Sequence, residues 1–275
     1  MSDAARIAVL QMTSGIDPLA NAAVLEKAIA DAARGGVAML FTPEMSGLLD
    51  RDRARASRHI VIEAANPVLA RVREAARAAG IWVSLGSLAV DRGDGRWANR
   101  SFVVGPDGAI RARYDKIHLF DVELAGGESW RESSSYAPGE HVVTVPTPLG
   151  RLGLTICYDL RFPALFDRLA EAACEVIAIP ASFTVPTGEA HWHVLQRARA
   201  IEASAYVVAA AQSGRHEDGR ETYGHSLVVD PWGEVVLDMG EGAGLGFAML
   251  DRAKLKRIRK QLPSLANRRP IATSR

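Results

Sequence analysis

Residues 151–163 read Arg151-Leu-Gly-Leu-Thr-Ile-Cys157-Tyr-Asp-Leu-Arg-Phe-Pro163. The first six form an apolar run of strand length, and Pro163 stands at the position that proline favours in the first turn of a helix. A strand therefore gives way to a helix across Cys157. Such a turn presents a side chain at the carboxyl edge of a sheet, where backbone N–H groups are free to meet an anion and the helix dipole favours a thiolate. One βα unit places the chain among proteins that mix strands with helices.

The same alternation extends outward in both directions. Apolar runs bounded by Gly, Pro or Asp over 6–10, 37–41, 81–85, 101–104, 141–145, 151–156, 176–179, 206–211, 225–229 and 246–250 predict strands. Asp17-Pro18, Asn66-Pro67 and Phe162-Pro163 open helical patterns over 18–33, 67–79 and 163–173, and further helices are predicted over 190–203 and 251–262. Gly105-Pro106-Asp107-Gly108 joins the strand at 101 to one over 110–114. Asp230-Pro231-Trp232-Gly233 joins strands near 225 and 234. Both carry Pro at the second turn position and read as hairpins. This mixture predicts mixed sheets with helices outside, not one wholly parallel sheet. No composition shift, repeat or low-complexity tract divides residues 1–275, so one domain is expected. Residues 50–58, 126–138 and the tail after Pro263 are the weakly structured candidates, of a length that often forms site lids.

Composition narrows the function classes. The 275 residues are enough to bury about three-quarters of the unfolded surface. Thirty-three Lys and Arg against 32 Asp and Glu leave a charge of +1, with no overall field for a polyanion or an anionic membrane. Two cysteines, Cys157 and Cys174, are too few for a secreted disulfide scaffold. The N-terminal MSDAARIAVLQM lacks the pattern of a signal peptide, and no segment has the roughly 18 apolar residues of a membrane span. A soluble cytoplasmic protein without nucleic-acid or membrane partners is expected.

Three residues carry the candidate chemistry. Cys157 is a candidate nucleophile, against the bland reading of a small hydrophobe that also describes Cys174. Glu44 follows the apolar segment Val37-Ala-Met-Leu-Phe41 and Thr42-Pro43, as a base or as an exposed loop acid. Lys116 lies in Tyr114-Asp-Lys-Ile-His-Leu-Phe-Asp121, as a site cation or as a solvated end on a buried stem. A base, a cation and a nucleophile, each at a strand end, are what splitting an unactivated C–N bond requires.

The segments Pro43-Glu44, 114–121, 153–163 and Glu189-Ala-His-Trp192 closely resemble the nitrilase superfamily of carbon–nitrogen hydrolases, from about Arg6 to Pro270. The resemblance implies an α/β fold, a four-layer αββα sandwich with two mixed β-sheets. It further implies a catalytic set of Glu44, Lys116 and Cys157, no cofactor, and a homodimer. A second glutamate of the family falls at Glu132, in Arg131-Glu132-Ser133, with Glu128 as a neighbouring competitor. In the mechanism so implied, Glu44 takes the thiol proton or shares it in a pair that Lys116 biases toward thiolate. The Lys116 ammonium and the Tyr158 backbone N–H meet the oxyanion, ammonia departs, and water hydrolyses the thioester.

Ala181-Ser-Phe183, 187–192 and 197–202 resemble the branch of omega-amidases and deaminated glutathione amidases. The segments 209–216, 223–226 and 229–233 lean toward the latter. The expected substrate is a small 2-oxo dicarboxylic monoamide, deaminated glutathione first and 2-oxoglutaramate second. An N-carbamoyl amino acid and a catalytically silent scaffold are the alternatives. Arg161, Arg197, Arg199 and Arg215 are the candidate donors to substrate anions, with Tyr158 and Phe183 lining the pocket. No metal is expected, since His191-Trp-His193 falls in a predicted helix with no third ligand at a convincing spacing. Residues 240–246 read as a turn and the basic run at 254–260 as solvated surface or a dimer rim.

Overall fold

Proline in the first turn opens the helices where the sequence places it. In the computed structural model, which describes residues 4–123 and 129–271, α1 is Pro18–Arg34, α2 is Pro67–Ala79 and α3 is Pro163–Glu171. Asp17 caps α1 by accepting from Leu19 N–H, and Asn66 caps α2 by accepting from Leu69 N–H. α4 is Val185–Ala203, starting five residues before the predicted 190. α5 is Arg252–Gln261, capped by Asp251.

The principal strands are β1 Ala4–Gln11, β2 Met39–Phe41, β3 Trp82–Asp91, β4 Trp97–Val104, β5 Ile110–Asp115, β6 Thr144–Thr147 and β7 Gly150–Leu154. They continue with β8 Val176–Ala178, β9 Tyr206–Ala209, β10 Leu227–Val229, β11 Val235–Asp238 and β12 Gly244–Asp251. One six-stranded sheet runs β12-β1-β2-β3-β4-β5 and a second runs β11-β10-β9-β8-β7-β6. In each, three parallel strands form the centre, β1-β2-β3 and β7-β8-β9, flanked by antiparallel pairings. The run predicted at 141–145 pairs only from Thr144, and Pro146 is accommodated because β6 is an edge strand.

Alternation along the strands builds the layers. Ile7, Val9, Met39, Phe41 and Val103 share a core with residues of the second sheet such as Leu152, Leu154, Ile177 and Val207. Their neighbours Ala8, Leu10, Leu40, Phe102 and Val104 pack instead with Leu25 and Ile29 of α1 and Leu69 and Val72 of α2. α3 and α4 join the core of the second sheet through Leu165, Phe166, Leu169, Trp192 and Ala200. The result is the four-layer αββα sandwich. Burial holds its shortest strands: each fully buried large apolar side chain contributes about 1.5–3 kcal/mol, against about 0.5–1.5 kcal/mol net for one strand hydrogen bond.

Among the described residues, two short antiparallel strand pairs, Asp121–Glu123 with Ser129–Arg131 and Ser213–Arg215 with Glu221–Tyr223, fall outside the predicted strands. The basic run is only partly solvated. Arg259 donates to the carbonyls of Ser204 and Cys174, and Lys254 pairs with Asp230 and Glu234. No helix among the described residues is long and apolar enough to cross a membrane.

Candidate active site

Central parallel strands of both sheets, and the antiparallel edge strand β5 of the first, point their carboxyl ends toward one cavity. From the first sheet, β2 runs into Thr42-Pro43-Glu44 and β5 into Lys116. From the second, β7 runs into Cys157 and β8 into Ala181-Ser182-Phe183. Glu44, Lys116, Cys157 and Glu132 all line this cavity of about 440 Å³.

Lys116 stands between two carboxylates. Its Nζ donates to Glu44 Oε1 at 3.0 Å and to Glu132 Oε2 at 2.9 Å. Asn99 Nδ2 spans the same pair, at 2.9 Å from Glu44 Oε1 and 3.1 Å from Glu132 Oε1. The outer oxygen of Glu44, Oε2, accepts from Ser182 N–H at 2.9 Å, and Glu132 Oε2 accepts from Phe120 N–H at 2.7 Å. Burial alone would push the Lys116 ammonium down. The Glu132 and Glu44 charges outweigh it and hold the ammonium well above its ordinary value.

Cys157 lines the same cavity as the Glu44 carboxylate and feels its charge. Burial first, and then the negative charge of Glu44, raise its pKa well above that of a free thiol, against the opposing pull of Lys116.

The backbone at Cys157 is left-handed, φ +50°, a strained conformation for a residue with a Cβ. Asp159, fully buried, holds it. Its Oδ2 accepts from Ile156 N–H at 2.9 Å and Tyr114 Oη at 2.6 Å. Its Oδ1 accepts from His118 N–H at 3.0 Å and lies 2.7 Å from His118 Nδ1. Arg199 Nε adds a bond to Leu160 O at 2.9 Å behind the turn.

On the opposite side, Gly86 of β3 presses against the segment that delivers Glu44. A Cβ there would lie 2.1 Å from Thr42 O and 2.3 Å from Pro43 O. Gly86→Ala is expected to displace Glu44, lowering kcat/KM more than about tenfold while costing only about 1–3 kcal/mol of stability. Paired turnover assays and urea titrations read both effects.

The cavity wall contains Tyr158, Phe183, Phe120 and Trp130, and five arginines reach it: Arg51, Arg53, Arg131, Arg161 and Arg220. Only Arg161 belongs to the set named from sequence. Arg197 donates to Gly233 O, Arg199 is spent behind the Cys157 turn, and Arg215 lies in a short hairpin strand away from the cavity lining. These three are not pocket donors as expected. Arg161 lies over the rings of Tyr158 and Phe183, at 5.9 and 5.4 Å, and beside His191 Nδ1 at 3.2 Å. Arg131 pairs with Glu123 and Arg220 with Asp218, both already neutralised. Glu128 lies outside the described residues, whereas Glu132 reaches Lys116. Sequence reading missed Asn99, whose only signal is a polar residue in the buried strand Trp97–Val104, and Ser182, whose contribution is a backbone N–H.

An αββα sandwich with an acid, an amine and a thiol meeting at the strand ends defines a class. The Carbon-nitrogen hydrolase family matches residues 6–260, and the chain belongs to that family. Among its relatives is the deaminated glutathione amidase of Yersinia enterocolitica, 39% identical over 98% of this chain and 94% of the relative. The human deaminated glutathione amidase is 41% identical over 96% and 82%. The crystal structure of the Caenorhabditis elegans NitFhit protein superposes with a TM-score of 0.90 at 38% identity, covering 98% of this chain and 66% of that one.

Proposed function

We propose that the chain hydrolyses the amide of deaminated glutathione through a cysteine thioester, with Glu44, Lys116 and Cys157 catalytic and Glu132 positioning. The observation that carries this reading is Lys116 clamped between Glu44 and Glu132 beside a buried thiol, at the floor of a cavity reached by arginines. The curated relatives named for that amidase support the substrate.

The steps follow from the acid, the amine and the thiol lining one cavity. Sulfur attacks the amide carbon as Glu44 takes its proton. The oxyanion is met by the Lys116 ammonium and the Tyr158 backbone N–H. Glu44 returns the proton to the amide nitrogen, the amine leaves, and a thioester remains. Water deprotonated by Glu44 then releases the acid. Glu132 keeps the ammonium charged and aimed. The leaving amine is fixed by the bond cut: in deaminated glutathione the amide nitrogen belongs to cysteinylglycine, so the products are 2-oxoglutarate and that dipeptide. The ammonia expected from sequence arises only from a primary amide.

Arg161 is the reading's substrate-carboxylate donor, because it faces the cavity over two aromatic rings and no carboxylate among the described residues forms an ion pair with it. Arg161→Met is expected to raise KM for deaminated glutathione by about 10- to 100-fold, the worth of one charged hydrogen bond, with a smaller change in kcat. Formation of 2-oxoglutarate and cysteinylglycine by the wild type is the primary assay, and absence of both products removes the reading.

A cytoplasmic homodimer belongs to the same reading. Val194 and Ile201, seven residues apart on α4, are exposed on one face beside the Trp232-Gly233 turn, which supports self-association. Sedimentation velocity reads the oligomer.

A further inference from the structure

We propose that His193, His225 and Asp238 form a second site, outside the catalytic cavity, for a divalent transition-metal ion of the zinc class. The three come from separate elements: His193 from α4, His225 from the loop ahead of β10 and Asp238 from the end of β11. One ligand atom from each lies within 4.8 Å of the other two. None of the three lines the catalytic cavity.

The donor spacing suits a small ion. Asp238 Oδ2 lies 3.0 Å from His193 Nε2 and 3.3 Å from His225 Nδ1. Bonds of about 2.0–2.2 Å in tetrahedral arrangement separate neighbouring ligand atoms by roughly 3.3 Å, so two of the three ligand edges are already within a few tenths of an ångström. The ion would replace the hydrogens now shared between each imidazole and the carboxylate. Two imidazoles with one carboxylate select zinc, copper or nickel over magnesium or calcium, which prefer all-oxygen sets.

The ligands are held from behind, as metal ligands are. His225 is fixed in a left-handed conformation, φ +52°, by its N–H to Gly240 O at 2.7 Å. Its carbonyl accepts the Trp192 indole at 2.7 Å, and its ring stacks on Tyr223 with centroids 4.5 Å apart. Asp238 Oδ1 accepts Gly240 N–H at 2.9 Å. Burial opposes the Asp238 charge, but these hydrogen bonds and those from His193 and His225 hold its carboxyl below the usual range, so it is ionised at neutral pH. Glu189, one turn before His193 on α4, and Glu241 add negative charge around Tyr223. The exposed side of Asp238 leaves a fourth position for water.

The test uses the full chain carrying Cys157→Ser, so that the catalytic thiol takes up no metal. Calorimetric titration with zinc chloride is expected to show one ion per chain with a dissociation constant of about micromolar. Cobalt(II) should give the visible bands of a tetrahedral nitrogen–oxygen site. His193→Ala and Asp238→Asn, both at least partly exposed, should each weaken zinc by more than the about 10- to 100-fold that loss of an outer partner causes. His225→Asn, which tolerates the left-handed backbone, should do the same with an unchanged melting curve. Absence of saturable uptake, or uptake that all three replacements leave intact, overturns the site and shows the cluster to be a carboxylate shared by two histidines. Because the catalytic thiol is already replaced, neither result depends on the amidase reading.

Discussion

Cys157→Ala is expected to abolish hydrolysis of deaminated glutathione, with a fall of about 10⁴-fold or more in kcat, while the folded chain remains. Only the Cys157 sulfur can form the thioester of the proposed reaction, and a water activated by Glu44 in its place would have to attack an unactivated amide directly. The fold survives because the turn is held by Asp159 and by Cys157 N–H bonding to Pro180 O at 2.8 Å, neither of which involves the thiol. Iodoacetamide provides an independent readout. It should label the wild type once and the variant not at all, since Cys157 lines the open cavity beside Glu44 whereas Cys174 is sealed in the core, out of the reagent's reach. Product formation by the variant at a near-normal rate would discard the thioester route.

Lys116→Met has the next largest effect, on both activity and stability. Loss of one oxyanion donor costs about 10²–10³ in rate, and Glu44 also loses the charge that orients it. Two carboxylates, buried and bridged only by Asn99, then face each other without a cation. Breaking such a buried pair costs about 3–5 kcal/mol, and one acid is driven to hold a proton. The pH dependence carries the sign. In the wild type, Lys116 and Cys157 have folded pKa values raised above their ordinary 10.5 and 9.0, so their contribution is complete below those values and is lost as pH rises through the folded ones. In the variant a carboxyl acquires a raised folded value instead. Its stability deficit therefore shrinks as pH falls from neutrality toward the ordinary carboxylate range of about 4. Urea titrations between pH 5 and 8 that give a constant deficit would contradict the shared-proton picture.

The elements legible in the sequence are those with a local cause. Asp17-Pro18, Asn66-Pro67 and Phe162-Pro163 announce helices because a capping side chain or a proline acts within four residues, and the two Pro-bearing hairpin turns are equally local. α4 begins early for the same reason that was overlooked: Pro186 occupies its first turn. Glu44, Lys116 and Cys157 were readable because each lies just past the end of a strand. The arginines were not. Arg51, Arg53 and Arg220 reach the cavity from segments without periodicity, and which charged residues face a pocket depends on how distant loops fold over it. Asn99 and Asp159 escaped because their value lies in spanning groups far apart in the chain, a property no window of sequence contains.

The seam between the two sheets has a further implication. Glu44 and Lys116 hang from one sheet and Cys157 and Ser182 from the other, so no half of the molecule holds a working set. A newly synthesised chain that has ordered only its first 120 residues owns a base and a cation but no sulfur. A molecule whose layers have parted owns a thiol without its proton acceptor. Reactivity thus requires the two sheets to be docked, and a molecule whose layers have parted is inactive even where its helices persist.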